Sequence, residues 1–158
     1  MNDNANTDIT WIRVLSVQES RDVTKTLKSG LILVDQLGDK LTALNDLMLT
    51  GKPHEIAEGA AAIEILLRDA APHFAEITQT MKFIGAGTFA AAGETLRAAE
   101  QDSAASLAEA LRQALARIAK RTADANRRAA QLNRGINNAL QTLHAVGHQE
   151  NGRLIAEA

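Results

Sequence analysis

The chain has 158 residues, enough for one domain with a modest core, and it carries no cysteine, which excludes disulfides and thiol chemistry and suits a reducing cytosol. Apolar residues make up 46 % but aromatics only 3 %, with no tyrosine and a single tryptophan, Trp11. No apolar run approaches the ~18–20 residues that a membrane span needs, and the opening MNDNANTD is polar and acidic, the opposite of a secretory signal. The expectation is a soluble cytoplasmic protein.

Alanine, the best helix former, fills roughly a fifth of the chain, and two prolines, Pro53 and Pro72, offer few breaks. The fold class expected is all-α: an elongated antiparallel helical bundle, or coiled-coil-like hairpin, with a long C-terminal helix in a single domain over 1–158. The net charge of −2 is uneven. Residues 1–101 hold 9 Lys/Arg against 14 Asp/Glu, whereas residues 102–158 hold 8 against 5. Much of the second excess lies in Arg112, Arg117, Lys120, Arg121, Arg127, Arg128 and Arg134. Such a stretch can meet nucleic acid or anionic lipid. The plainer reading is the solvated back of a helix. No aromatics are interleaved for base stacking, so no nucleic-acid partner is expected.

In chain order, residues 1–8 read as a flexible N-terminus, and Asn6, Thr7 or Asp8 could cap a helix. The β-branched patch ITWIRVLSV leaves open whether residues 8–23 are helical. From Val23 the pattern is clear. Val23, Leu27, Leu31, Val34, Leu37, Leu41, Leu44 and Met48 recur at intervals of three or four, one face of a helix. Gly30 and Gly38 weaken it by about 1 kcal/mol each relative to alanine. TGKP, residues 50–53, reads as a turn, with Gly51 in a left-handed conformation and Pro53 in the first turn of a second helix. Ile56, Ala60, Ile63 and Leu67 then line a face, with Leu66 beside them. A short connection makes the two helices antiparallel neighbours. Pro72 is expected to kink the second helix or start another, running through Phe74, Ile77, Met81 and Ile84.

GAGTFAAAG, residues 85–93, has neither the Gly-Lys-Ser/Thr of a phosphate loop nor the strand context of a dinucleotide fingerprint. It reads as a flexible connector and hinge. After a cap near Asp102 or Ser103 comes the strongest helical pattern. Leu111, Leu115, Ile118, Thr122, Ala125, Ala129, Leu132, Ile136, Ala139, Leu143 and Val146 follow a 4-3-4-3 spacing, the heptad seam of a coiled coil or bundle. A helix of about 45 residues would span roughly 65–70 Å. Its stripe must pack on the first helix, on another copy or on a partner.

Catalytic chemistry is not evident. His144 and His148 share a helix face, but the position after the first is Ala145 where zinc proteases carry glutamate, and only Glu150 is near as a third ligand. They read as surface histidines, and neither a metal nor another cofactor is expected. No nucleophile elbow appears and the carboxylates are evenly spread, so the chain reads as a binding protein and not an enzyme.

Near the end stands HQENGRLIAEA, in which Gln149, Asn151, Gly152, Leu154 and Ile155 match a Leu-Asn-Gln-x-Asn-Gly-x-Leu-(Leu/Ile) signature. With the preceding hairpin and the Leu66-Leu67 pair, the chain resembles the flagellar export chaperones of the FlgN type. It departs from them where Gly147-His148 replaces the Leu-Asn pair and where Ile63 stands in place of a lysine. A second register, through Leu132-Asn133 and Asn137-Asn138, also fits. The resemblance implies a cytoplasmic chaperone that holds the C-terminal amphipathic segments of hook–filament junction proteins and delivers them to the flagellar type III export apparatus. The implied partner-binding residues are Leu132, Ile136, Leu140, Leu143, Val146, Asn151, Gly152, Leu154 and Ile155. An exposed apolar stripe accepting another helix is the physical form such binding takes. Gly152 would let a partner approach and Asn151 would satisfy its polar groups, with Leu154 and Ile155 as anchors. The other reading of the same pair is that Gly152 caps the helix and residues 148–158 form a mobile tail. Two alternatives of other classes stand beside the chaperone: an amphipathic coat of the phasin type, and a structural coiled coil that self-associates as a homodimer.

Overall fold

The computed structural model describes residues 15–156, and the side chains of residues 15–142. Residues 1–8 with the candidate caps Asn6, Thr7 and Asp8, and Trp11, lie outside the described residues. So do the side chains of His144 and His148. Among the described residues the chain forms four helices and no strand: α1 (Val17–Thr50), α2 (Pro53–Ile84), α3 (Phe89–Ala98) and α4 (Asp102–Ala156). None is long and apolar enough to cross a membrane.

Local chemistry sets the helix ends. Ser16 accepts from the Glu19 N–H at 3.2 Å, and the Glu19 carboxylate accepts from the Ser16 N–H at 2.8 Å, a reciprocal cap that starts α1. Gly51 ends it, but in an extended conformation (φ −79°) instead of the expected left-handed one. Glycine suits this site because a Cβ would press on the Leu47 carbonyl oxygen. Pro53 occupies the first turn of α2 as expected, and the Glu55 carboxylate accepts from the Lys52 N–H at 2.8 Å.

Pro72 neither ends α2 nor starts a new helix; α2 runs unbroken past it. Pro72 is exposed, so water can take the carbonyl that the missing N–H releases. Ile63, Ala70, Ile77 and Met81 hold the helix to the core on both sides of it. The inward residue of the leucine pair is Leu66, packed on Leu37, Leu41 and Ile63, whereas Leu67 is exposed.

The supposed connector divides in two. Gly85, at φ +78°, takes the left-handed conformation that ends α2, and a short turn follows. From Phe89 the chain is α3, capped by Thr88 accepting from the Ala91 N–H at 3.1 Å. Ala92, Gly93 and Leu96 of α3 are buried. The small residues that suggested flexibility in fact let α3 lie close on α4. The Ser20 hydroxyl donates to the Gln101 side chain, tying the start of α1 to the α3–α4 turn.

α1 is the central helix, with α2 packed on one side and α4 on the other. Its inward face is the expected one: Val23, Leu27, Val34, Leu37 and Leu41 are buried. Gly30 and Gly38 serve this packing. Gly30 receives the tip of Ile77 from α2 beside Leu111 from α4, and the Arg121 guanidinium lies over Gly38. The main cluster fills the end where α3 sits, with Leu27, Leu96, Leu111 and Val34 fully enclosed. A smaller cluster of Leu37, Leu41 and Ile63 lies nearer the α1–α2 turn.

The candidate helix-binding groove

α4 is one 55-residue helix, about 82 Å long at 1.5 Å per residue. Its first half packs and the described part of its second half does not. Ala104, Ala105, Ala108, Leu111, Ala114 and Ala125 are buried, whereas every residue from 129 to 142 is exposed. The packed face keeps a seven-residue repeat but in another phase from the one expected. Leu111, Ile118 and Ala125 alternate with Ala114, Arg121 and Arg128, and the expected Thr122 and Ala129 are exposed. The long Arg121 and Arg128 side chains border the contact, Arg121 over Gly38 and Arg128 on the Asn45 carbonyl.

Where α4 leaves the bundle, its exposed stripe faces the α1–α2 turn. Leu132 (41 % exposed), Ile136 (57 %) and Leu140 (49 %) lie along it, and Leu49 (64 %) stands opposite. Two shallow hollows flank this meeting. One, of about 440 Å³, is bounded by Met48, Leu49, Arg128, Gly135, Ile136 and Ala139. The other, of about 470 Å³, lies between Pro53 and Ile56 of α2 and Ala129, Asn133 and Ile136 of α4. A Cβ at Gly135 would meet nothing within 4 Å, so the rim there is open.

Of the expected partner-binding residues, Leu132, Ile136 and Leu140 therefore lie exposed on one stripe. The side chains of Leu143, Val146, Asn151, Leu154 and Ile155, and the surroundings of Gly152, lie outside the described residues. Their backbone continues α4 as far as Ala156, so Asn151-Gly152 does not stop the helix. Asn133, of the second register, borders one hollow. The opposite wall was not anticipated as a site. Met48 was legible only as the last member of the α1 stripe, and Leu49, Pro53 and Ile56 become groove residues only because the turn lands beside α4.

The basic stretch is largely engaged within the chain. Arg112 donates to Glu109 at 2.7 and 2.9 Å, Arg117 stands 3.8 Å from Asp35 of α1, and Arg127 pairs with Asp124. Arg128 donates to the Asn45 carbonyl at 3.1 Å, and Arg134 to the Ala130 carbonyl at 3.3 Å. Hydrogen bonds from Arg112 and then Gln113 hold the Glu109 carboxyl down to about 2. Among the described residues no three histidines, aspartates or glutamates are grouped as a metal site. No family model, curated protein or solved structure matches this chain.

Proposed function

We propose that this chain is a helix-binding protein, a cytoplasmic chaperone and not an enzyme, that holds an amphipathic helix of a client on the projecting half of α4 and in the hollows against the α1–α2 turn. The observation that carries the reading is that residues 129–142 are exposed throughout while their apolar spacing continues. Full burial of a large apolar side chain is worth roughly 1.5–3 kcal/mol; Leu132, Ile136 and Leu140 are about half exposed, so a client helix laid along the stripe would recover a part of that for each. By its resemblance to the FlgN type, the client is the C-terminal segment of a hook–filament junction protein, and the destination is the flagellar export apparatus. The open hollows, with no buried ion pair among the described residues at their rims, suit a reversible complex, since ordering a free segment costs part of the interaction energy.

The test is isothermal titration of the intact protein with C-terminal segments of hook–filament junction proteins, beside two double variants. One-to-one binding is expected, weakened about tenfold or more by Leu132→Ala with Ile136→Ala, since a factor of ten is about 1.4 kcal/mol. A comparable loss in Leu154→Ala with Ile155→Ala would extend the face to the QENGRLI signature. Binding to none of these segments would overturn the assignment of client. A stable dimer, with the stripe covered by a second copy, would overturn the open groove itself.

A further inference from the structure

The two hollows beside α4 are apolar or uncharged with one exception. Among their described lining residues Arg128 alone carries a charge, and no carboxylate lines either hollow. Arg128 stands where α4 leaves the bundle, four residues before Leu132 and so on the same helix face. At the helical rise Leu132, Ile136 and Leu140 follow it by about 6, 12 and 18 Å. The groove thus has a cationic inner end and an apolar course beyond it.

Arg128 has no carboxylate partner among the described residues. It is half-buried and donates to the Asn45 carbonyl at 3.1 Å, a neutral acceptor that takes up only one of its N–H donors. Asp124, the carboxylate one turn earlier on α4, pairs with Arg127 instead. The bond to Asn45 also holds the guanidinium in place before a partner arrives, so the ordering of that side chain is not left to the binding step.

We propose that the client helix carries an aspartate or glutamate that seats on Arg128, one turn from the apolar side chain it lays on Leu132. This rests on the reading of α4 as a helix-binding face and adds the chemistry of the occupant. An uncharged client would strip water from the guanidinium and return nothing, whereas a carboxylate forms a charge-assisted hydrogen bond with it. Charge also excludes the matching segment of a second copy. Residues 125–142 contain Arg127, Arg128 and Arg134 and no carboxylate, so that segment cannot supply the anion. The pair would set register as well. Leu132, Ile136 and Leu140 repeat every four residues and accept a helix shifted by a turn, but a single cation at one end distinguishes the shifts.

The probes are two designed peptides, each an Ala- and Gln-based helix of about five turns with a leucine stripe at helical spacing. One carries a single glutamate a turn from the end of the stripe, and the other has glutamine there. Isothermal titration of the intact protein should find the glutamate peptide bound about tenfold more tightly, with the gap narrowing as salt is raised. Arg128→Gln should erase the gap and Arg128→Lys keep part of it, with circular dichroism confirming the helicity of each. If Arg128→Gln loses helicity, the two peptides on the native chain still decide. Equal binding of both peptides would overturn the carboxylate and leave the helix-binding face standing. Binding of neither would overturn that face and this inference with it, and capture by phosphatidylserine vesicles, lost in Arg128→Gln, would then assign the groove to lipid.

Discussion

Glu109 shows how a single exposed residue can be tuned without any site being present. The Arg112 guanidinium and the Gln113 amide both donate to its carboxylate, and the carboxyl is held down to about 2. A carboxyl lowered by folding contributes stability that is in place above the ordinary value of 4.5 and is lost as the pH falls toward about 2. Carboxyl-carbon NMR should therefore find Glu109 still ionised well below the ordinary value of 4.5. Arg112→Ala should return it to the ordinary carboxylate range. Gly30 gives the steric counterpart. In Gly30→Ala a Cβ would collide with the Ile77 tip and crowd Leu111. Overpacking costs about 1–3 kcal/mol and the gain in helix propensity returns about 1. Urea denaturation should find a net loss of about 1 kcal/mol.

The elements differ in how much of them could be read from the sequence. The α1 stripe from Val23 to Leu41 was legible because one helix face meets neighbours on both sides, which leaves a broad and regular apolar pattern. In α2 the periodicity alone did not separate Leu66 from Leu67, since they stand three and four residues beyond Ile63 and both spacings are helical. In α4 the heptad reading placed Leu111, Ile118 and Ala125 correctly and then failed at Thr122 and Ala129, because the contact takes the other phase of the same repeat, through Arg121 and Arg128, which a pattern of apolar residues does not pick out. GAGTFAAAG was misread because glycine and alanine signal flexibility and close packing alike, and only the position of α4 decides between them. The two halves of α4 should respond differently to mutation. Leu111, 1 % exposed in the core, should cost about 2–5 kcal/mol on replacement by alanine. Leu132→Ala, on the projecting half, should change stability by less than about 0.5 kcal/mol. Chemical denaturation of the two variants makes the comparison.

At the scale of the whole molecule, the candidate site is a product of assembly. Leu132, Ile136 and Leu140 were legible as one stripe of a helix, but the wall made by Met48, Leu49, Pro53 and Ile56 was not. Its residues are distant from α4 in sequence, and no local pattern encodes which turn will stop beside which helix. The bundle ends at the α1–α2 turn because the chain reverses at Gly51, and α4 has no such reversal. The same helix that builds the core thus carries its apolar spacing beyond the core, where the described residues 129–142 are all exposed.

That continuity gives the molecule reach. Residues 129–156 extend α4 by about 42 Å at the helical rise, roughly the width of a small domain. On the proposed reading, a client gripped along this arm would be carried beside the bundle and not inside it. Handing it to a second binder would then need no prior release, since arm and bundle would be separate handles.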